Sequence, residues 1–134
     1  MKMILVSHSE FATGALAATK MIVGENPNVT ALGLQPEDDL TSFAAKIEAE
    51  IQRLGADEEY IIFSDLYFGS PCNSVVTLMQ KYKIHHITGM NLPTIIETMA
   101  MLDAGLSLDE LANSALNAAR EGVVDLNEKL GGLN

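Results

Sequence analysis

The sequence predicts an α/β fold, an open parallel sheet with helices on both faces, and two observations carry that prediction. Short apolar runs rich in branched side chains recur at Met3 to Val6, Val29 to Leu34, Tyr60 to Phe63 and Ile84 to Thr88. Between and after them lie segments whose apolar residues step by three or four, the period of a helix with one buried face. Strands that alternate with helices become parallel neighbours joined by right-handed crossovers. The order of segments reads βαβαβαβααβ.

Each element has its own justification. Met3-Ile4-Leu5-Val6 is too short for a helix and apolar throughout, which marks a strand covered on both sides. After His8, the residues Phe11, Ala15, Leu16, Ala18, Thr19 and Ile22 recur at helical spacing, with Ser7 and Ser9 as N-caps and Glu10 favourable in the first turn. Leu40, Phe43, Ala44, Ile47, Ile51 and Leu54 form an amphipathic helix of about four turns, capped by Asp39 or Thr41 and ended by Gly55. Pro71 to Tyr82 and Leu92 to Leu102 each carry an apolar stripe behind a proline near the first turn. Ser107 through Leu108, Leu111, Ala115 and Ala119 makes the next helix, which stops near Gly122. Val123-Val124-Asp125-Leu126 reads as a final strand, placed either at an edge of its own sheet or across a subunit boundary. The polar, glycine-bearing stretch 127–134 reads as a flexible tail.

A length of 134 residues fits one domain over 1–134, and 48% hydrophobic content supports a packed core. One cysteine, Cys72, forms no disulfide framework, and the opening residues are too few for a leader or a membrane span, so the expected location is cytoplasmic. A formal charge of −10 repels nucleic-acid phosphates and anionic lipid, which argues against nucleic acid and membrane insertion and for an electropositive protein partner. No Walker loop or G-x-G-x-x-G is present, and His85 and His86 have no ligand set around them, so neither a nucleotide, a metal nor another cofactor is expected. Those two histidines read as structural or surface residues, and Cys72 as a small buried apolar one.

The residues with chemistry gather where strands end. His8 closes the first strand just before a helix N-terminus, a place that favours an anion. Asp65 closes the third run in the same way. Alone it reads as a cap of the following turn; on a strand beside that of His8, it would accept a hydrogen bond from Nδ1–H and leave Nε2 as an outward nucleophile. Gly69-Ser70-Pro71-Cys72-Asn73 follows, either an ordinary capped connection or a loop presenting N–H groups and the Ser70 hydroxyl to a phosphate. Gly89-Met90-Asn91-Leu92-Pro93 ends the fourth run similarly.

Taken together, Ser7-His8 with Phe11-Ala12-x-Gly14, then Asp65-Leu66-x-x-Gly69-Ser70-Pro71-x-Asn73, then Gly89-x-Asn91-Leu92-Pro93 resemble the A component (EIIA) of the mannose family of the bacterial phosphoenolpyruvate-dependent sugar phosphotransferase system. The resemblance covers nearly the whole chain. It implies four parallel strands plus an antiparallel C-terminal edge strand exchanged in a homodimer. It also implies that His8 takes phosphate on Nε2 from phospho-HPr and passes it to a histidine of the EIIB component during sugar uptake, making the chain a phosphotransferase component. Asp65 is then the orienting carboxylate, and Ser9, Gly69 and Ser70 the phosphate-binding residues. Two positions depart from the family pattern: Ser9 stands where glycine is usual, and Phe68-Gly69 replaces a Gly-Gly pair. Two further readings share the fold, a non-catalytic regulatory module and the phosphotransfer subunit of a dihydroxyacetone kinase, which Val6-Ser7-His8-Ser9 also resembles.

Overall fold

The structure, a computed structural model, describes residues 1–131. Four strands, β1 (Lys2–His8), β2 (Val29–Leu34), β3 (Glu59–Ser64) and β4 (Lys83–Thr88), make one parallel sheet in the order β2-β1-β3-β4. Six helices accompany them: α1 (Phe11–Val23), α2 (Leu40–Leu54), α3 (Ser70–Leu78), α4 (Leu92–Met101), α5 (Leu108–Glu121) and the single turn α6 (Leu126–Lys129).

Strand periodicity divides the core into two layers. Met3, Ile4, Leu5 and Val6 are all fully buried, as an uninterrupted apolar strand must be when both faces are covered. Met3, Leu5, Ile61 and Phe63 pack with Leu16 of α1, Ile95 and Met99 of α4 and Leu111 of α5. Ile4, Val6, Tyr60 and Ile62 turn the other way, onto Phe43, Ile47 and Ile51 of α2 and Val75 and Leu78 of α3. Each fully buried side chain of this size contributes about 1.5–3 kcal/mol of transfer free energy.

Caps fix where the helices begin. Asp39 and Ser42 form a reciprocal capping box at α2, and Ser107 and Glu110 form another at α5. Asn91 accepts from Thr94 N at α4, and its Nδ2 donates to Ala119 O, which ties α4 to α5. At the far end of α2 the buried Tyr60 hydroxyl faces Gly55 O at 2.7 Å and Ile51 O at 3.0 Å.

Four expectations are corrected. α3 stops at Leu78, not Tyr82; turns cover the next residues, and the buried Tyr82 hydroxyl donates to Glu48 Oε2 at 2.5 Å and accepts from Gln52, so Tyr82 packs against α2. Phe11 and Ile22 lie on the solvent side of α1, because the inward stripe is Ala12, Leu16 and Thr19. The α1 N-cap is Glu10, outside the first turn; Ser7 still supplies a capping oxygen, accepting from Ala12 N at 2.7 Å. The expected strand over Val123–Leu126 joins no sheet: Asp125 instead caps α6 by accepting from Asn127 N and Glu128 N. α6 thus occupies the start of the expected tail, whose residues 132–134 lie outside the described part.

The strand order places the site. From β1 the chain crosses through α1 to β2 on one side, and β3 returns to the opposite side of β1 with α2 on the other face. The crevice between β1 and β3, at their carboxyl ends, is therefore the topological switch point where open α/β sheets bind ligands. His8 ends β1, and Asp65 follows the last residue of β3.

Candidate functional site at the sheet crest

Asp65 and His8 meet at that switch point. Asp65 Oδ2 accepts the His8 backbone N–H at 2.9 Å and lies 2.8 Å from the ring Nδ1. Oδ1 accepts the Leu66 N–H at 3.0 Å. Burial alone would push the Asp65 carboxyl toward neutrality, but the hydrogen bonds from the His8 backbone and ring, together with the ring's charge when protonated, outweigh it and hold its pKa below the ordinary value. The ionised carboxylate has no proton to give, so Nδ1 carries the hydrogen and Nε2 keeps its lone pair. The Asp65 side chain is 13% exposed and that of His8 46%: the orienting group is sheltered and the nucleophile is open.

The loop after Asp65 closes against the free edge of the ring. Gly69 has φ +93° and ψ 173°, a conformation open to glycine alone, and a Cβ built there would lie 3.0 Å from His8 Cε1 and 3.2 Å from Nε2. Gly69 is also the N-cap of α3, so the unpaired N–H groups of that helix begin beside Nε2. Ser70 is the first residue of α3, half-buried, and its Oγ has no hydrogen-bond partner among the described residues.

Ser9 follows His8 in the turn before α1. It is exposed, with φ +48°, the one residue other than glycine with positive φ among those described, and its N–H donates to Leu34 O at 2.8 Å. Gly33 makes this possible, because a Cβ there would sit 1.9 Å from Ser9 O. Sequence reading missed Gly33, although a lone glycine inside a strand pattern signals close backbone approach. It also gave Phe11 a core role; Phe11 instead lines a cleft of about 500 Å³ with His8, Asp65 and Leu66. Leu66, Tyr67 and Phe68 follow as exposed apolar side chains beside it.

The other candidates stay apart. Cys72 is buried, with Sγ 3.6 Å from Tyr67 O. His85 lies 3.5 Å from Asp109, while His86 is half-buried on the edge strand β4. A groove of about 560 Å³ along α4 and α5 holds Glu97, Glu110 and Glu121, and its one hydroxyl, Ser114, donates to Glu97 at 3.3 Å. No cluster of three or more His, Cys, Asp or Glu suited to a metal occurs among the described residues.

Fold and crest together define an open α/β protein that presents a carboxylate-oriented imidazole at a parallel-sheet switch point. The chain belongs to the EIIA-man family, described as the PTS system fructose IIA component, whose model matches residues 2–116. It is 31% identical over 131 residues to the sorbose-specific EIIA component of Lacticaseibacillus casei, covering 97% of this chain and 94% of that one. It is 29% identical over 129 residues to the mannose-specific EIIAB component of Escherichia coli K12, covering 94% of this chain but only 39% of that protein's length. Among solved structures, the mannose/sorbose-specific IIA subunit from Enterococcus faecalis superposes with a TM-score of 0.84 at 32% identity, covering 92% of each chain. No described helix is long and apolar enough to cross a membrane.

Proposed function

We propose that this chain is a phosphocarrier of the sugar phosphotransferase system, in which His8 Nε2 accepts a phosphoryl group from phospho-HPr and passes it to a histidine of an EIIB component. The observation that supports this most directly is the 2.8 Å contact between Asp65 Oδ2 and His8 Nδ1, with His8 lining the open cleft. In the first transfer the Nε2 lone pair forms a bond to phosphorus as the N–P bond of the donor breaks and the donor imidazole leaves with its electron pair. The His8 ring, with Nδ1 still protonated, becomes cationic, and Asp65 stabilises that cation as the aspartate of a hydrolase triad stabilises its histidine. Ser9 Oγ, Ser70 Oγ and the N-terminus of α3 beside Gly69 surround the transferred oxygens. Reversal toward EIIB regenerates the neutral ring, with no metal or nucleotide required by this balance of bonds.

The apolar collar of Phe11, Leu66, Tyr67 and Phe68 is the docking rim in this reading, and Phe68 is where its shape departs from the family pattern. The reading includes a cytoplasmic homodimer in which the segment after Gly122 reaches a second copy. Incubation with phosphoenolpyruvate, enzyme I and HPr tests the transfer: the expected product is an acid-labile mass gain of one phosphate that His8→Ala abolishes. In the same assay Asp65→Ala, with an unchanged circular dichroism spectrum, slows uptake by about 10–100-fold, the cost typical of losing a group that orients a reactive histidine. No mass gain in the parent protein would leave a non-catalytic module of the same fold.

A further inference from the structure

A second histidine reaches the site from behind. His86 lies in the middle of β4, opposite Ile62 in the ladder, and its Nε2 is 2.9 Å from Ser64 Oγ. Ser64 is fully buried at the end of β3, directly before Asp65. Its carbonyl accepts the N–H groups of Gly89 and Met90 at 3.0 and 3.2 Å, so the ends of β3 and β4 are locked together there. Its hydroxyl also lies 3.4 Å from Leu66 O, and Leu66 N donates to Asp65 Oδ1. A continuous run of contacts therefore leads from His86 through Ser64 and Leu66 to Asp65 and His8. The direction of donation decides whether the run is complete. If His86 Nε2 carries the hydrogen, it donates to Ser64 Oγ, whose own proton is free to reach Leu66 O. If Nε2 is bare, Ser64 spends that proton on the ring and Leu66 O loses its donor.

The geometry points to His86, as its neutral Nε2–H tautomer, as a positioning residue for the His8–Asp65 pair, acting through the Ser64 hydroxyl on the turn that carries the carboxylate. Nothing in the phosphocarrier chemistry uses His86 directly, and its half-buried ring lies on the face of the sheet that it shares with Tyr60, Ile62 and Ser64. A neutral imidazole suits the role, because only the neutral ring offers one donor in a fixed direction without bringing a charge behind Asp65. The inference rests on the phosphocarrier reading for its kinetic consequence, but its structural content is independent of that reading.

Nitrogen-15 NMR of the histidine rings separates the two. In the parent protein we expect His86 as the Nε2–H tautomer and His8 as the Nδ1–H tautomer. His86→Leu should lower the Nδ1–H share of His8 and slow phosphoryl uptake from phospho-HPr by about fivefold to tenfold, an effect of the kind seen when a supporting hydrogen bond is lost. His86→Gln, whose amide can donate to Ser64 Oγ, should restore both within about twofold. Ser64→Ala removes the same link from the other side and covers the case in which His86→Leu fails to fold. The inference is overturned by His86 as the Nδ1–H tautomer in the parent, by an unaltered His8 spectrum in both His86→Leu and Ser64→Ala, or by His86→Gln falling as far as His86→Leu. If the parent takes up no phosphate, the phosphocarrier reading fails while the ring spectra still decide the positioning role.

Discussion

At the scale of single residues the crest is shaped by what cannot have a side chain and by one side chain held where glycine is easier. Gly69→Ala places a methyl group 3.0 Å from His8 Cε1 at a φ of +93°. The backbone term alone costs about 1–3 kcal/mol. Because the new carbon also lies 3.2 Å from Nε2, the proposed phosphoryl acceptor, uptake should fall at least tenfold even in protein that remains folded. Uptake at the parental rate would remove Gly69 from the phosphate rim. Ser9 presents the converse. Its left-handed backbone costs about 1–2 kcal/mol relative to an unstrained residue, and glycine would recover that less about 0.5–1 kcal/mol of extra chain entropy. Ser9→Gly should therefore raise stability by up to about 1.5 kcal/mol in urea unfolding, while loss of the hydroxyl slows phosphoryl uptake by about twofold to fivefold. A variant no more stable than the parent would show that Ser9 bears no strain.

At the scale of elements, most of the architecture was legible because the signals are local. Apolar runs, the fourth of them interrupted by His85-His86, gave all four sheet strands to within two residues at each end, and the boxes Asp39–Ser42 and Ser107–Glu110 set two helix starts. His8 and Asp65 were legible as strand-end residues, but their contact depends on β1 and β3 being neighbours, a long-range fact that local pattern does not contain. Phe11 was misplaced for a related reason: its spacing suits a core stripe, yet Ser7 Oγ on Ala12 N sets the rotation of α1 and turns Phe11 to the cleft. The Ser64–His86 contact escaped notice because it joins two adjacent strands through side chains of ordinary identity. It carries a pH prediction for the sheet. Burial lowers the His86 pKa from 6.5 to about 4, so the native chain binds that proton less readily than the unfolded one. Stability is then full above pH 6.5, declines as pH falls through that value and levels near pH 4, a loss of about 3 kcal/mol at most from this ring. Urea midpoints at pH 7 and pH 5 should differ more in the parent than in His86→Leu; equal differences would show that the ring does not titrate in this way.

At the scale of the whole molecule, the unmatched part is the C-terminal segment, which the proposed homodimer would account for. Val123 is 79% exposed and Leu126 61%, with Val124 and Leu130 also open to solvent, an apolar series in a chain of formal charge −10. Among the described residues β4 pairs only with β3, so its other edge has a free row of N–H and C=O groups there. In the proposed homodimer, a short β-branched segment and an open strand edge satisfy each other, and Val123-Val124-Asp125-Leu126 gains from a second copy the strand partner that it lacks within the described residues. In a pair related by a two-fold axis, each segment could lie along the edge of the other copy and bury its valines, while α6 is what the same residues form when Asp125 caps a turn locally. Sedimentation equilibrium should accordingly give about twice the mass of one chain, whereas a chain ending at Gly122 should sediment at the mass of one. Since His8 and Asp65 lie in β1 and just after β3, the shortened chain should still take phosphate on His8 if it remains folded. A full-length protein that stays monomeric at tens of micromolar, or a shortened one that still dimerises, would remove the segment from the interface.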